Sequence, residues 1–192
     1  MTRAFIGQVA LGCLASVVAL GLQNLLRDAW QIRTLPERVM EWLLLFVPLD
    51  LFERGLAQFG ADAKEVGLTA TLVGMAVILA AIGVLVLRAG WRAWWVLGLG
   101  PGLWLITMAV VMPITGAGLF ATDLLVDPLL TNAGYLLVFL GYASVLVAGR
   151  VLLTRRDAAG PIMAERRALL AGVVGALAAG GIASIVGRGE GR

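Results

Sequence analysis

Five apolar stretches, each close to the length that crosses a bilayer, constrain the fold of this chain more than any other feature. Such a stretch spans a ~30 Å hydrocarbon layer at ~1.5 Å per residue. Backbone polar groups in lipid must bond within their own segment, so each stretch predicts a helix. The stretches are residues 4–26, 66–87, 93–112, 129–149 and 168–186.

Composition supports the same interpretation. Hydrophobic residues make up 60% of the 192 residues and charged residues only 14%, which leaves too little polar surface for a soluble domain of this size. We therefore predict an all-α integral membrane bundle of five transmembrane helices, forming one membrane domain over residues 1–192. The lipid bilayer is its first expected partner.

The segment between the first two stretches predicts two short amphipathic helices. The pattern T-x-x-E at residues 34–37 is typical of a capping box, and it starts a helix over residues 35–47 that stops before Pro48. A second helix follows over residues 49–59. Both are too short to span, so we expect them to lie in the outer membrane interface. The alternative is a partly re-entrant hairpin packed among the spans. The docking surface predicted on these helices comprises Trp42, Phe52, Leu56 and Phe59.

Arginine-rich loops predict the orientation. Residues 150–167 hold five arginines and residues 88–92 hold two, whereas residues 113–128 have no lysine or arginine. The positive-inside rule then places the N-terminus in the cytoplasm and the C-terminus outside. The long 27–65 loop has five basic residues but also seven acidic ones, and the short loops decide. We expect a multi-pass protein of the bacterial cytoplasmic membrane.

Several function classes are disfavoured by what the sequence lacks. It has no histidine and one cysteine, Cys13, so a redox centre or metal site held by this chain alone is not expected. No ionisable residue lies in the middle of a predicted span, which disfavours a transporter or proton relay. The net charge of +3 comes from basic residues at span ends, so nucleic acid is not an expected partner. We identify no catalytic, cofactor-binding or metal-ligating residue.

The last stretch carries two patterns. Small residues recur every fourth position, which favours close helix packing in lipid with a partner inside or outside the chain. The pair Arg166-Arg167 precedes it in the order R-R-x-L-L, typical of a twin-arginine export signal, although paired arginines before any span also satisfy the positive-inside rule. The small residues of this stripe are Gly172, Ala176, Gly180 and Ser184.

Residues 33–74, "RTLPERVMEWLLLFVPLDLFERGLAQFGADAKEVGLTATLVG", resemble the N-terminal multi-span membrane region of bacterial molybdopterin-dependent oxidoreductases of the sulfite-oxidase type. Four features carry the resemblance: Leu35-Pro36-Glu37, the break at Pro48, Phe52, and the passage from Phe59-Gly60 through Ala63-Lys64 into the second span. In that architecture the span after Arg166-Arg167 would precede an exported catalytic domain.

The chain departs from that family at "GRGEGR", where the resemblance would lead into the molybdopterin domain. The family's molybdenum ligand is a cysteine, and Cys13 lies in the first span without that context. The resemblance therefore implies the membrane part of such an enzyme: a truncated chain, a split gene product or an accessory subunit. Molybdopterin would belong only to a missing or partner domain.

The leading hypothesis is a non-catalytic transmembrane anchor or scaffold. It would tether or dock an extracytoplasmic molybdopterin-type oxidoreductase domain through the fifth span and the outer interfacial helices. One alternative is a small accessory subunit of a respiratory or photosynthetic complex, and a small transporter is a third hypothesis.

Overall fold

The computed structural model describes residues 2–156, and every regular element in that part of the chain is helical. This part of the chain contains seven α-helices, with single turns of 3-10 helix at Gly60–Asp62 and Leu119–Ala121. The helices are α1 (Thr2–Trp30), α2 (Leu35–Leu44), α3 (Leu49–Phe59), α4 (Ala63–Arg88), α5 (Ala93–Ile106), α6 (Met112–Ile114) and α7 (Pro128–Arg156).

Four helical segments among the described residues are long and apolar enough to cross a membrane. Each is at least 22 residues long, so each clears the length that the hydrocarbon layer requires. The all-helical prediction and four of the predicted spans are thus confirmed at this level, while the fifth, residues 168–186, lies outside the described residues. The four segments are Phe5–Trp30, Ala63–Arg88, Ala93–Ile114 and Pro128–Val151.

Four predicted ends differ from the structure by three residues or more: α4 starts at Ala63 and not at residue 66, α7 continues to Arg156 and not to residue 149, and the ends of α1 and α2 also shift. The first helix continues to Trp30 instead of stopping at residue 26, because Arg27 and Asp28 extend it as a polar last turn that needs no lipid. Gln31, at a φ of 55°, ends it. The helix predicted over residues 35–47 stops at Leu44, since residues 45–48 form a tight turn that leads into α3.

Glycines set the distance between the central helices. α1 packs between α4 and α7, and α5 packs against α7. A Cβ atom added to Gly83 of α4 would lie 3.2 Å from the Gly12 Cα atom of α1, so the two backbones touch. At Gly100 of α5 an added Cβ atom would lie 2.9 Å from the Phe139 carbonyl oxygen of α7. Small residues permit this close approach, and van der Waals contact then stabilises the bundle in lipid.

Two polar side chains in the interior of the bundle bond between helices. Tyr142 of α7 is fully buried, and its hydroxyl donates to the Leu79 carbonyl of α4 at 2.6 Å. The indole N–H of Trp104 on α5 donates to the Asn132 carbonyl of α7 at 3.1 Å. These bonds fix the rotation of α7 relative to α4 and α5.

The third span is irregular beyond α5. The helix continues through Pro101, and the departure from α geometry is a π turn at Thr107–Val111 directly before α6. Pro113 follows it and lacks the backbone N–H that a regular helix would need there. The turn accommodates that missing bond, and the buried Met108 and Met112 remain packed in the core.

Candidate functional site

Polar and charged side chains converge where α1, α2 and α7 meet, at one end of the bundle. We call this cluster the polar junction and define it by Gln23 and Arg27 of α1, Glu37 and Arg38 of α2, and Tyr135 of α7. Gln23, Arg38 and Tyr135 are each less than 9% exposed. Burial of charged and hydrogen-bonding groups at this density requires specific partners, and the structure supplies most of them.

The start of α2 is bonded directly to α1. The Leu35 backbone N–H donates to the Gln23 side-chain oxygen at 2.9 Å in a buried contact. Two residues later Glu37 accepts from the Thr34 backbone N–H at 3.1 Å, as the predicted capping box requires. Orphan N–H groups at the first turn of a helix are costly when buried, so both bonds stabilise α2 in this position.

Two ion pairs join the same region. Arg27 of α1 pairs with Glu37 of α2, whose side chain is only 13% exposed. One guanidinium nitrogen of Arg33 contacts both carboxylate oxygens of Glu41, at 3.0 and 2.7 Å, but both side chains are more than half exposed. Exposed pairs contribute little, whereas removing one partner of a shielded pair is costly. The Arg27–Glu37 pair is therefore the one expected to hold α2 on α1.

α7 holds the loop between α1 and α2. The Tyr135 hydroxyl donates to the Arg33 carbonyl oxygen at 2.5 Å, across a sequence separation of 102 residues. This bond ties α7 to the loop that leads into α2.

Two buried donors at the junction have no protein partner in the described part of the chain. They are the Nε2 atom of Gln23 and the Nε atom of Arg38. A cavity of about 10 Å³ lies beside Gln23 and Tyr135, with Leu26, Ile32 and Val138 completing its wall. This is roughly the space that one water molecule needs, and a water there would accept from Gln23.

The connection between α2 and α3 is apolar and exposed. We call residues 43–51 the hairpin tip. Leu45, Phe46 and Leu49 are 79%, 66% and 68% exposed, and the other large side chains of the tip are exposed too. Contiguous exposed apolar surface of this kind is a mark of contact with lipid or with another protein. The hairpin tip is thus presented by a helix whose opposite end is fixed at the polar junction.

Arginine and tryptophan side chains occupy the other end of the bundle. Arg88 lies over the Phe5 ring at 5.0 Å from its centroid, and Arg150 donates to the Gly90 carbonyl at 3.1 Å. Trp94 and Trp95 stack at 4.0 Å and are more than half exposed. Amphipathic rings beside arginines are typical of the boundary between hydrocarbon and water.

The predicted docking residues are only partly located. Trp42 lies on α2, half-buried, with its ring 4.8 Å from that of Phe46 in the hairpin tip. The side chains of Phe52, Leu56 and Phe59 lie outside what the structure describes, as do residues Arg166, Arg167, Gly172, Ala176, Gly180 and Ser184. Among the described residues no group of three or more His, Cys, Asp or Glu side chains could hold a metal ion.

Sequence reasoning did not identify the polar junction. Gln23 and Tyr135 both stand within predicted spans, where no local pattern assigns a partner to them. One signal was present: Gln23 and Arg27 stand one helical turn apart, so they share a face of α1. The amide acceptor role of Gln23 and the burial of Arg38 depend on the return of α2 across α1, which no local pattern encodes.

No protein family, curated protein or solved structure matches the chain.

Replacing Tyr135 with phenylalanine is expected to lower the free energy of unfolding by about 1–2 kcal/mol, because the Arg33 carbonyl loses its buried donor. Chemical denaturation of the purified protein in detergent would measure this loss. Tyr142→Phe is the matched control: it also removes one buried hydroxyl, but its acceptor, the Leu79 carbonyl, belongs to α4 and keeps a helical N–H partner. Equal losses in the two variants would contradict the role assigned to Tyr135.

Proposed function

We propose that this protein is a non-catalytic membrane scaffold that presents the α2–α3 hairpin to an extracytoplasmic protein domain. One observation supports this above all: α2 is bonded at its start to α1 and α7 through the polar junction, while the hairpin tip exposes Leu45 and Phe46. Fixing one end of a helix limits the ordering cost of binding at its other end.

The domain that docks is proposed to be a molybdopterin-type oxidoreductase. Support comes from the resemblance of residues 33–74 to the membrane region of such enzymes, and these residues include the helix start at the junction and the whole hairpin tip. In this proposal molybdopterin belongs to the partner domain or to a further part of the polypeptide. The chain described here contributes the membrane anchor and the docking surface.

Site-specific photo-crosslinking in native membranes tests the docking role. A photoreactive residue at Leu45 of the hairpin tip is expected to capture a protein whose isolated complex contains molybdenum by elemental analysis. The same residue at Val77 is the control, since Val77 is 62% exposed on α4 and faces away from the bundle. Capture of lipid alone at both positions would refute docking through the hairpin tip. Capture of a quinone- or pigment-bearing complex without molybdenum would favour the accessory-subunit alternative.

The proposed orientation places the hairpin outside the cell and the loop of residues 88–92 in the cytoplasm. Asp50→Cys and Ala89→Cys, each introduced after replacing Cys13 with alanine, test it with a membrane-impermeant maleimide. Both positions are exposed. We expect Asp50→Cys to react in intact cells and Ala89→Cys to react only after permeabilisation, because the arginines of the 88–92 loop are retained inside. The reverse pattern would invert the topology and place the hairpin in the cytoplasm.

A further inference from the structure

A groove runs along the outer face of α7 beside α1. Its walls are Leu22 of α1 and Ala133, Leu137, Leu140, Gly141 and Ser144 of α7, and its volume is about 440 Å³. Leu137 and Leu140 are 48% and 38% exposed, so the groove is open to the surroundings. Gly141 allows α7 and α1 to lie close together at this point, since a Cβ atom added to it would lie 2.6 Å from the Leu22 Cδ1 atom.

Small residues line part of the groove. The α7 face combines three small residues, Ala133, Gly141 and Ser144, with flanking leucines. Small residues are also exposed on α4 and α5, at Gly74 and Gly98, but α7 is the helix that leads directly into the remainder of the chain. A surface of small residues between larger ones accepts a second helix at short distance, and lipid chains fill such a surface less completely.

We propose that residues 168–186 of this chain occupy the groove and run antiparallel to α7. This segment, which lies outside the described residues, is 19 residues long and carries its small side chains at Gly172, Ala176, Gly180 and Ser184. Only residues 157–167 separate it from the end of α7, and a connection that short favours antiparallel neighbours. Small residues on both surfaces allow the backbones to approach closely.

This placement has a consequence for the position of residue 186. α7 carries Tyr135 of the polar junction near its start, and it ends at Arg156 on the opposite side of the bundle. A segment that returns along α7 therefore ends on the side of the junction and the α2–α3 hairpin. The placement is independent of the proposed partner, because it concerns contacts within one chain.

Disulfide crosslinking of the full chain in membranes tests the placement. In a Cys13→Ala background, Ser144→Cys and Leu137→Cys are each combined with single cysteines across residues 172–184. We expect each to crosslink within one chain to a small cluster of positions. Because Leu137 lies seven residues before Ser144, its best partner should lie about seven residues later than that of Ser144, as antiparallel packing requires. Val77→Cys on α4 is the control and should not crosslink.

Three outcomes would overturn the proposal. Equal crosslinking from Val77→Cys would show that the segment has no preferred face. Partners that shift in the opposite direction along the chain would show parallel packing. Crosslinks found only between two copies, detected by co-expressing chains that carry one cysteine each, would assign the groove to a second molecule. Loss of partner capture at Leu45 would leave these results unchanged, so the two proposals fail separately.

Discussion

Replacing Gly83 with leucine is expected to lower the free energy of unfolding by about 2–3 kcal/mol, because a side chain there would be forced between α1, α4 and α7. An added Cβ atom would lie 3.2 Å from the Gly12 Cα atom and 3.0 Å from the Tyr142 hydroxyl. Backbone cannot move aside as a flexible side chain can, so α1 and α4 would have to separate. The same shift would weaken the bond from Tyr142 to the Leu79 carbonyl.

Gly74→Leu is the matched control, since Gly74 lies on the same helix and a Cβ atom added there meets nothing within 4 Å. Both variants gain the same side chain, so helix propensity and hydrophobicity change equally. Denaturant titration of the two purified proteins in the same detergent measures the difference. Equal stability of Gly83→Leu and Gly74→Leu would contradict the close crossing of α1 and α4.

Replacing Glu37 with glutamine is expected to loosen α2 and to lower the free energy of unfolding by about 1–3 kcal/mol. The substitution removes the charge that pairs with Arg27 and leaves an oxygen that can still accept from the Thr34 amide. It therefore isolates the ion pair from the helix cap. Because the Arg27–Glu37 pair holds the start of α2, hydrogen exchange of the amides in Leu35–Leu44 should increase more than that of the spans.

Glu41→Gln provides the control for this prediction. It lies one turn further along α2 and also pairs with an arginine, but the Glu41 side chain is 53% exposed and that of Arg33 is 62% exposed. An exposed pair contributes ~0–1 kcal/mol, so we expect exchange in α2 to change little. Should Glu41→Gln loosen α2 as much as Glu37→Gln does, burial of the Glu37 carboxylate beside Arg27 would not be what fixes the helix.

Local patterns predicted the elements of this fold well. The helical content, four spans and the start of α2 at the capping box follow from runs of apolar residues and from short-range capping chemistry. The errors lay at helix ends, most clearly at Trp30, Leu44 and Arg156, where polar side chains and turn geometry decide the boundary instead of hydrophobicity. The fifth span, the export signal and the family resemblance stay predictions.

The sequence by itself thus determined that this is a helical membrane protein, because lipid excludes unpaired backbone and makes apolar length decisive. It also contains the residues of the polar junction, although no local pattern in it predicts that they meet. Only the tertiary structure decided that Gln23, Glu37, Arg38 and Tyr135 meet, because their meeting depends on which faces of α1 and α7 turn inward. Contacts between helices, such as that of Gly12 with Gly83, set those rotations. The length and hydrophobicity of an apolar run do not encode them.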